Sequence, residues 1–171
     1  MPITFIKILR SKKRRRTVSA HVVKDVLIVR APESIAESRL EKVITELKTK
    51  IERKQLKEEL NKDESLRQRA KEFNQQYFGN QLNINSIEYV TDQISKFGCC
   101  NFRTGCIRIS HRISFMPQWV RDYVIIHELA HLAVPDHSKA FWEVVSRYKF
   151  AERARGYLIA AGTQDILYNK L

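Results

Sequence analysis

The sequence predicts an α+β chain, with strands gathered in two short groups and helices between and after them. Three observations carry that prediction. Apolar and polar residues alternate between Thr17 and Arg30, apolar residues recur at steps of three and four from Leu40 to Ile51, and a tight-turn signal, Arg103-Thr104-Gly105, separates two short strand-like runs. Hydrophobic residues make up 43% of the chain and charged residues 29%, the balance of a packed globular protein, and 5 Gly with 4 Pro exclude extensive low-complexity sequence. The 171 residues suit one domain, or one domain with an appendage. The expected organisation is a β-rich extension over 1–32, a helical segment over 33–80 and a functional core over 81–171, packed as one unit.

In chain order, Thr4 to Ile8 reads as a strand, and Thr17 to Arg30 as two strands joined at a Lys24-Asp25 turn; together they predict a small antiparallel unit. After Ala31-Pro32 a long helix begins near Ile35, with Leu40, Val43, Ile44, Leu47 and Ile51 on one face. Ten bases and eight acids alternate between Glu41 and Glu72, the pattern of a solvated helical surface. A break at Asn61 to Asp63 precedes a second helix over Glu64 to Tyr77, which Gly79-Asn80 ends. Strands are expected at Leu82 to Val90, Cys99 to Phe102 and Gly105 to Ser110, the last two forming a hairpin. Pro117 suits the start of a helix over Gln118 to Leu132, because its missing N–H would be unpaired there in any case. Asp136 or Ser138 caps a helix with Phe141, Val144, Val145 and Tyr148 on one face, and a last helix from Ala151 to Ala161 stops at Gly162.

The Gln118 to Leu132 helix carries the chemistry. It contains His127, Glu128 and His131 in the run Ile126-His127-Glu128-Leu129-Ala130-His131, with His137 six residues further on. Residues i and i+4 project from one helix face, so two imidazoles at this spacing can converge on one metal ion. Glu128 lies about 100° around the axis from His127, a place for a base acting on water rather than for a third ligand. Pro135 cannot continue the helix, so the chain turns there and can bring His137 back as the third donor. Three neutral nitrogens and one water would complete a tetrahedral zinc site; nickel, cobalt or manganese could occupy the same donors. For stabilising developing negative charge, His111, Arg147, Tyr148 and Tyr157 can each donate a hydrogen bond, although each also has a plain packing or surface role available. Should the Gly105 to Ser110 strand lie beside the motif helix, its free edge would accept an extended peptide as one more strand; with that edge covered, a smaller substrate would enter from the end of the cleft.

Net charge is +12, and nine Lys and Arg stand against the single Asp25 in the first 30 residues. Lys12 to Arg16 can therefore meet phosphates of nucleic acid or another acidic partner, or serve as a solvated basic loop. No apolar run reaches a membrane span of roughly 18 residues, and the N-terminus reverses the charge order of a secretory signal, which predicts a cytoplasmic chain without membrane association. Cys99, Cys100 and Cys106 are an odd set with two adjacent members, so reduced thiols are expected, as small residues on strands and not as a second metal site.

The run Phe97-Gly98-Cys99-Cys100-Asn101-Phe102-Arg103-Thr104-Gly105-Cys106-Ile107-Arg108-Ile109-Ser110, then Pro117, then Asp122 through Leu132, then His137-Ser138-Lys139-Ala140-Phe141-Trp142, resembles the YgjP-like metallopeptidase-domain family, a relative of the SprT-like and WLM proteases. Arg15-Arg16-Thr17-Val18-Ser19 and Val29-Arg30-Ala31-Pro32 are similar to that family's opening, so the resemblance spans nearly the whole chain, the long helix being its least distinctive part. The resemblance implies a zincin-like fold with an N-terminal β-rich extension, zinc on His127, His131 and His137, and Glu128 as general base. Cys99 departs from it, standing where the family commonly has serine. The expected activity is zinc-dependent hydrolysis of peptide bonds in a polypeptide substrate. The alternatives are a metal-dependent nucleotide phosphohydrolase of pyrophosphatase type, acting on a small phosphorylated substrate at the same site, and a nucleic-acid-binding protein whose metal is structural.

Overall fold

Leu27, Val29 and Ala31 are fully buried while Arg30 is exposed, and this alternation makes β3 (Val26–Pro32) the centre of a three-stranded sheet. The computed structural model describes residues 3–161, and the chain divides into two units, Met1–Leu56 and Lys57–Leu171. Gly162, expected to stop the last helix, lies outside the described residues.

In the first unit, β1 (Phe5–Ser11) pairs in parallel with β3 on one side and β2 (Ser19–Val23) pairs antiparallel on the other. The sheet is thus mixed, where an antiparallel one was expected. The difference has a simple cause: the loop over 12–18 is long enough to pass the end of β3, so the most apolar strand takes the middle and buries the most surface. α1 (Glu37–Leu60) lays Leu40 and Ile44 on Leu27, Val29 and Ala31, forming that unit's core.

The second unit repeats this strand order. β4 (Ser86–Val90) pairs in parallel with β6 (Cys106–Ser110), and β5 (Gly98–Asn101) pairs antiparallel on its other side. Both flanks of β6 are therefore occupied, so the free edge expected on it is absent and the outer edges of the sheet belong to β4 and β5. Again the centre goes to the strand whose inward residues, Ile107 and Ile109, are fully buried. The β5–β6 turn needs Gly105: its φ is +68°, and a Cβ there would stand 2.6 Å from the Asn83 carbonyl oxygen.

Two asparagines act as strand surrogates. Asn61, just past α1, exchanges both hydrogen bonds with the Tyr89 backbone, at 2.8 and 2.9 Å, and Asn74 does the same with Leu82, at 3.0 and 3.1 Å. The second pairing holds the chain before β4, which begins at Ser86 and not at Leu82 as expected. α2 (Ser65–Phe78) ends at Gly79, which is in the left-handed region. A short 3-10 turn, His111–Phe115, joins β6 to α3 (Gln118–Ala133). α4 (Lys139–Val145) and α5 (Ala151–Ala160) follow; Tyr148 falls just past α4, yet is buried. α3 is the axis of this unit: residues 122–130 are all buried, wrapped by α2, α4, α5 and the sheet. No helix among the described residues is long and apolar enough to cross a membrane.

Candidate metal centre

Helix α3 stops where chain chemistry requires. Val134, preceding Pro135, is pushed out of the helical region to φ −131°, ψ 100°. Asp136 then accepts the Ser138 amide at 3.3 Å in a tight turn, and Ser138 opens α4. This turn returns His137 to α3. Its Nε2 lies 3.2 Å from Nε2 of His127, and the ligand atoms of His127, His131 and His137 are all within 4.8 Å of one another, a group able to hold a metal ion. A tetrahedral zinc with arms of about 2.0–2.1 Å separates its ligands by about 3.3 Å, so the His127–His137 pair already has the required spacing.

Phe141 is the packing hub, with its ring centroid 4.8, 4.5 and 4.7 Å from those of His127, His131 and His137. Trp142 stacks on His137 at 5.5 Å, and the Arg155 guanidinium lies 4.6 Å over the Trp142 ring. Arg155 escaped sequence reasoning because only the fold brings α5 to this place. Burial first, and then the neighbouring rings of His131 and His137 and the charge of Arg155, hold His127 well below the ordinary histidine pKa; burial and His137 push His131 down to about 4. Both are thus neutral, as a metal ligand must be. Nδ1 of His127 and Nδ1 of His131 are buried without a hydrogen-bond partner. Three neutral imidazoles that converge, with the Nε2 atoms of His127 and His137 facing each other, form the donor set a cation needs.

Glu128 is 5% exposed, and no described group donates a hydrogen bond to its carboxylate. Burial pushes its pKa up to about 8, against a smaller lowering by Lys96. It lies directly beneath β5: a Cβ on Gly98 would stand 2.5 Å from its Oε1 and 2.7 Å from its Cδ. The structure begins the strand expected at Cys99 one residue earlier, at Gly98, and a glycine inside a strand marks a close approach of neighbouring groups. Cys100, two residues on, feels the same carboxylate; burial and then Glu128 push its thiol up to about 12. Cys99, Cys100 and Cys106 are all free and half-buried on β5 and β6.

The residues considered for stabilising negative charge have other contacts. Tyr148 is buried and donates to the Trp119 carbonyl at 3.1 Å, Arg147 donates to the Tyr77 carbonyl at 3.4 Å, and Tyr157 packs edge-on to Trp119 at 5.5 Å. His111 stands half-buried in the 3-10 turn.

The family model described as YgjP-like, metallopeptidase domain matches residues 85–150. This segment is similar to that family's domain. It runs from the start of β4 to just past α4 and so contains every residue of the imidazole trio, Glu128 and Gly98. The matched segment is the part of the chain whose motifs carried the resemblance most specifically. Among solved structures, the metallopeptidase zymogen of Pyrococcus abyssi, abylysin, is similar with a TM-score of 0.49 and 22% identity, over 58% of this chain and 93% of that one. No curated protein matches the chain significantly.

Proposed function

We propose that this protein is a zinc-dependent metallopeptidase, with one zinc ion on His127, His131 and His137 and Glu128 as general base. The observation that carries this reading is the meeting of three imidazoles within 4.8 Å beside a buried carboxylate from the same helix turn. A zinc held by His127, His131 and His137 would supply Lewis-acid polarisation of the scissile carbonyl and acidify a bound water. Glu128 takes the proton from the attacking water on its carboxylate and later delivers it to the leaving amine. Phe141 and Trp142 pack the three rings from behind and exclude water from that side. β5 is the terminal strand of its sheet and lies against α3. An extended polypeptide adding to its outer edge would pass over Glu128, bound by backbone pairing and so with little dependence on sequence.

The test is a zinc-loaded preparation given an unfolded protein and, separately, a panel of nucleoside triphosphates. Peptide cleavage is expected, with Glu128→Gln retaining zinc at one ion per chain while hydrolysis falls by about 10²- to 10⁴-fold. Full activity in that variant would refute the base assignment. Release of phosphate or pyrophosphate without peptide cleavage would replace the peptidase reading with the phosphohydrolase one.

A further inference from the structure

One face of the β1-β3-β2 sheet is covered by α1; the register defines what the other presents. Its three cross-strand rows are Phe5–Val26–Val23, Lys7–Ile28–His21 and Leu9–Arg30–Ser19. The face is open: Phe5 is 62% exposed, Val23 48% and Leu9 40%, with Lys7, His21 and Arg30 exposed among them. Beside the apolar first row stand a row with Lys7 and His21 and a basic row whose one charge is Arg30, and no carboxylate stands on these rows. The loop over 12–18 leaves β1 and enters β2 beside the basic row, adding Lys12, Lys13, Arg15 and Arg16 as exposed charges against the single carboxylate of Glu33 in the turn at that end. Arg10 points to the opposite face, where it is paired with Glu37.

We propose that this open sheet face binds single-stranded nucleic acid, bases stacking on Phe5 and the neighbouring apolar surface while Lys7, Arg30 and the Lys12–Arg16 loop take the phosphates. Charge complementarity selects this occupant: the cations have neither acidic partners on the face nor a like-sized acidic patch beside them, as a polyanion requires. Flat sheet surface with an exposed ring suits unstacked bases, which a duplex keeps inside its helix. All of these residues lie in Met1–Leu56, so the inference is independent of the metal centre.

Fluorescence anisotropy of the full chain with a labelled oligothymidylate of about a dozen nucleotides, over a range of salt concentrations, tests it. Binding should weaken with salt, and changing Lys12, Lys13, Arg15 and Arg16 together to Ser should reduce the slope of log K against log salt by about 3. Phe5→Ala, at an exposed position where truncation leaves the core intact, should weaken binding about tenfold with the slope unchanged. Changing Lys139 and Lys149 to Ser, in the other unit, should alter neither quantity. No salt-dependent binding, an unchanged slope in the loop variant, or wild-type affinity in Phe5→Ala would each overturn the proposal. So would preference for duplex over single strand, or for phosphatidylserine–phosphatidylcholine vesicles over the oligonucleotide, or a homodimer formed through the bare β1 edge that excludes the oligonucleotide.

Discussion

Gly98 and Glu128 belong to different elements, yet the glycine decides where the carboxylate lies. A methyl group on Gly98 would sit 2.5 Å from Oε1, so even alanine cannot be accommodated unless Glu128 moves, and burial between β5 and α3 leaves it little room. A misplacement of about 1 Å can cost 10²-fold in rate. Gly98→Ala should therefore lower kcat by about that factor at unchanged zinc content, with little change in KM. Truncating the side chain by Glu128→Ala removes Oε1, Cδ and Cγ, the three atoms that clash, so Gly98→Ala should cost almost nothing further in that background. Steady-state kinetics on the four members of this double-mutant cycle check the coupling. Additive losses would mean that Gly98 acts on the fold and not on the base.

At the scale of elements, α3 is aimed by Asp122, one turn and a residue before His127. Its buried carboxylate accepts Arg69 Nε at 3.0 Å and Nη2 at 2.8 Å from α2, and Gln118 Nε2 at 2.7 Å. Asp122→Ala strands these donors and should destabilise the protein by about 1–3 kcal/mol in urea titration. The cost stays below that of a fully buried pair because Arg69 is 39% exposed on its side chain and keeps Glu72 at 2.9 Å. A loss under about 0.5 kcal/mol would show that α2 does not hold α3 through this pair. Such ties also explain what the sequence could reveal. The His127-Glu128-His131 spacing and the Pro135 break are local, so the motif helix and the return of His137 were legible. The positions of β3 and β6 at the sheet centres were not, because they depend on which distant strand buries most. Asn61 reads as a helix break and Asn74 as a position inside the second helix, and nothing local tells that their amides pair with Tyr89 and Leu82. Gly98 stands one residue before the strand expected at Cys99 to Phe102, and its neighbour Glu128 lies thirty residues away.

For the whole molecule, a metal held by the imidazole trio would stabilise the fold as well as serve the proposed reaction. The trio gathers three imidazoles around one point only in the folded chain, so a cation at the convergence would bind the folded state and not the unfolded one. A ligand that binds only the folded state at 100 times its Kd adds about 2.7 kcal/mol. For a unit the size of Lys57–Leu171 this corresponds to a rise in Tm of roughly 10 °C. The chain supplies its own reporter: both of its 2 tryptophans, Trp119 and Trp142, lie in this unit, and Trp142 stacks on His137. Tryptophan emission during heating should therefore show a transition that moves up with zinc and returns on chelation. His137→Ala should remove the zinc response while leaving the metal-free Tm within a few degrees, since His137 is only half-buried. An identical melt with and without zinc, or an equal zinc-induced rise in His137→Ala, would place the metal somewhere other than these three rings.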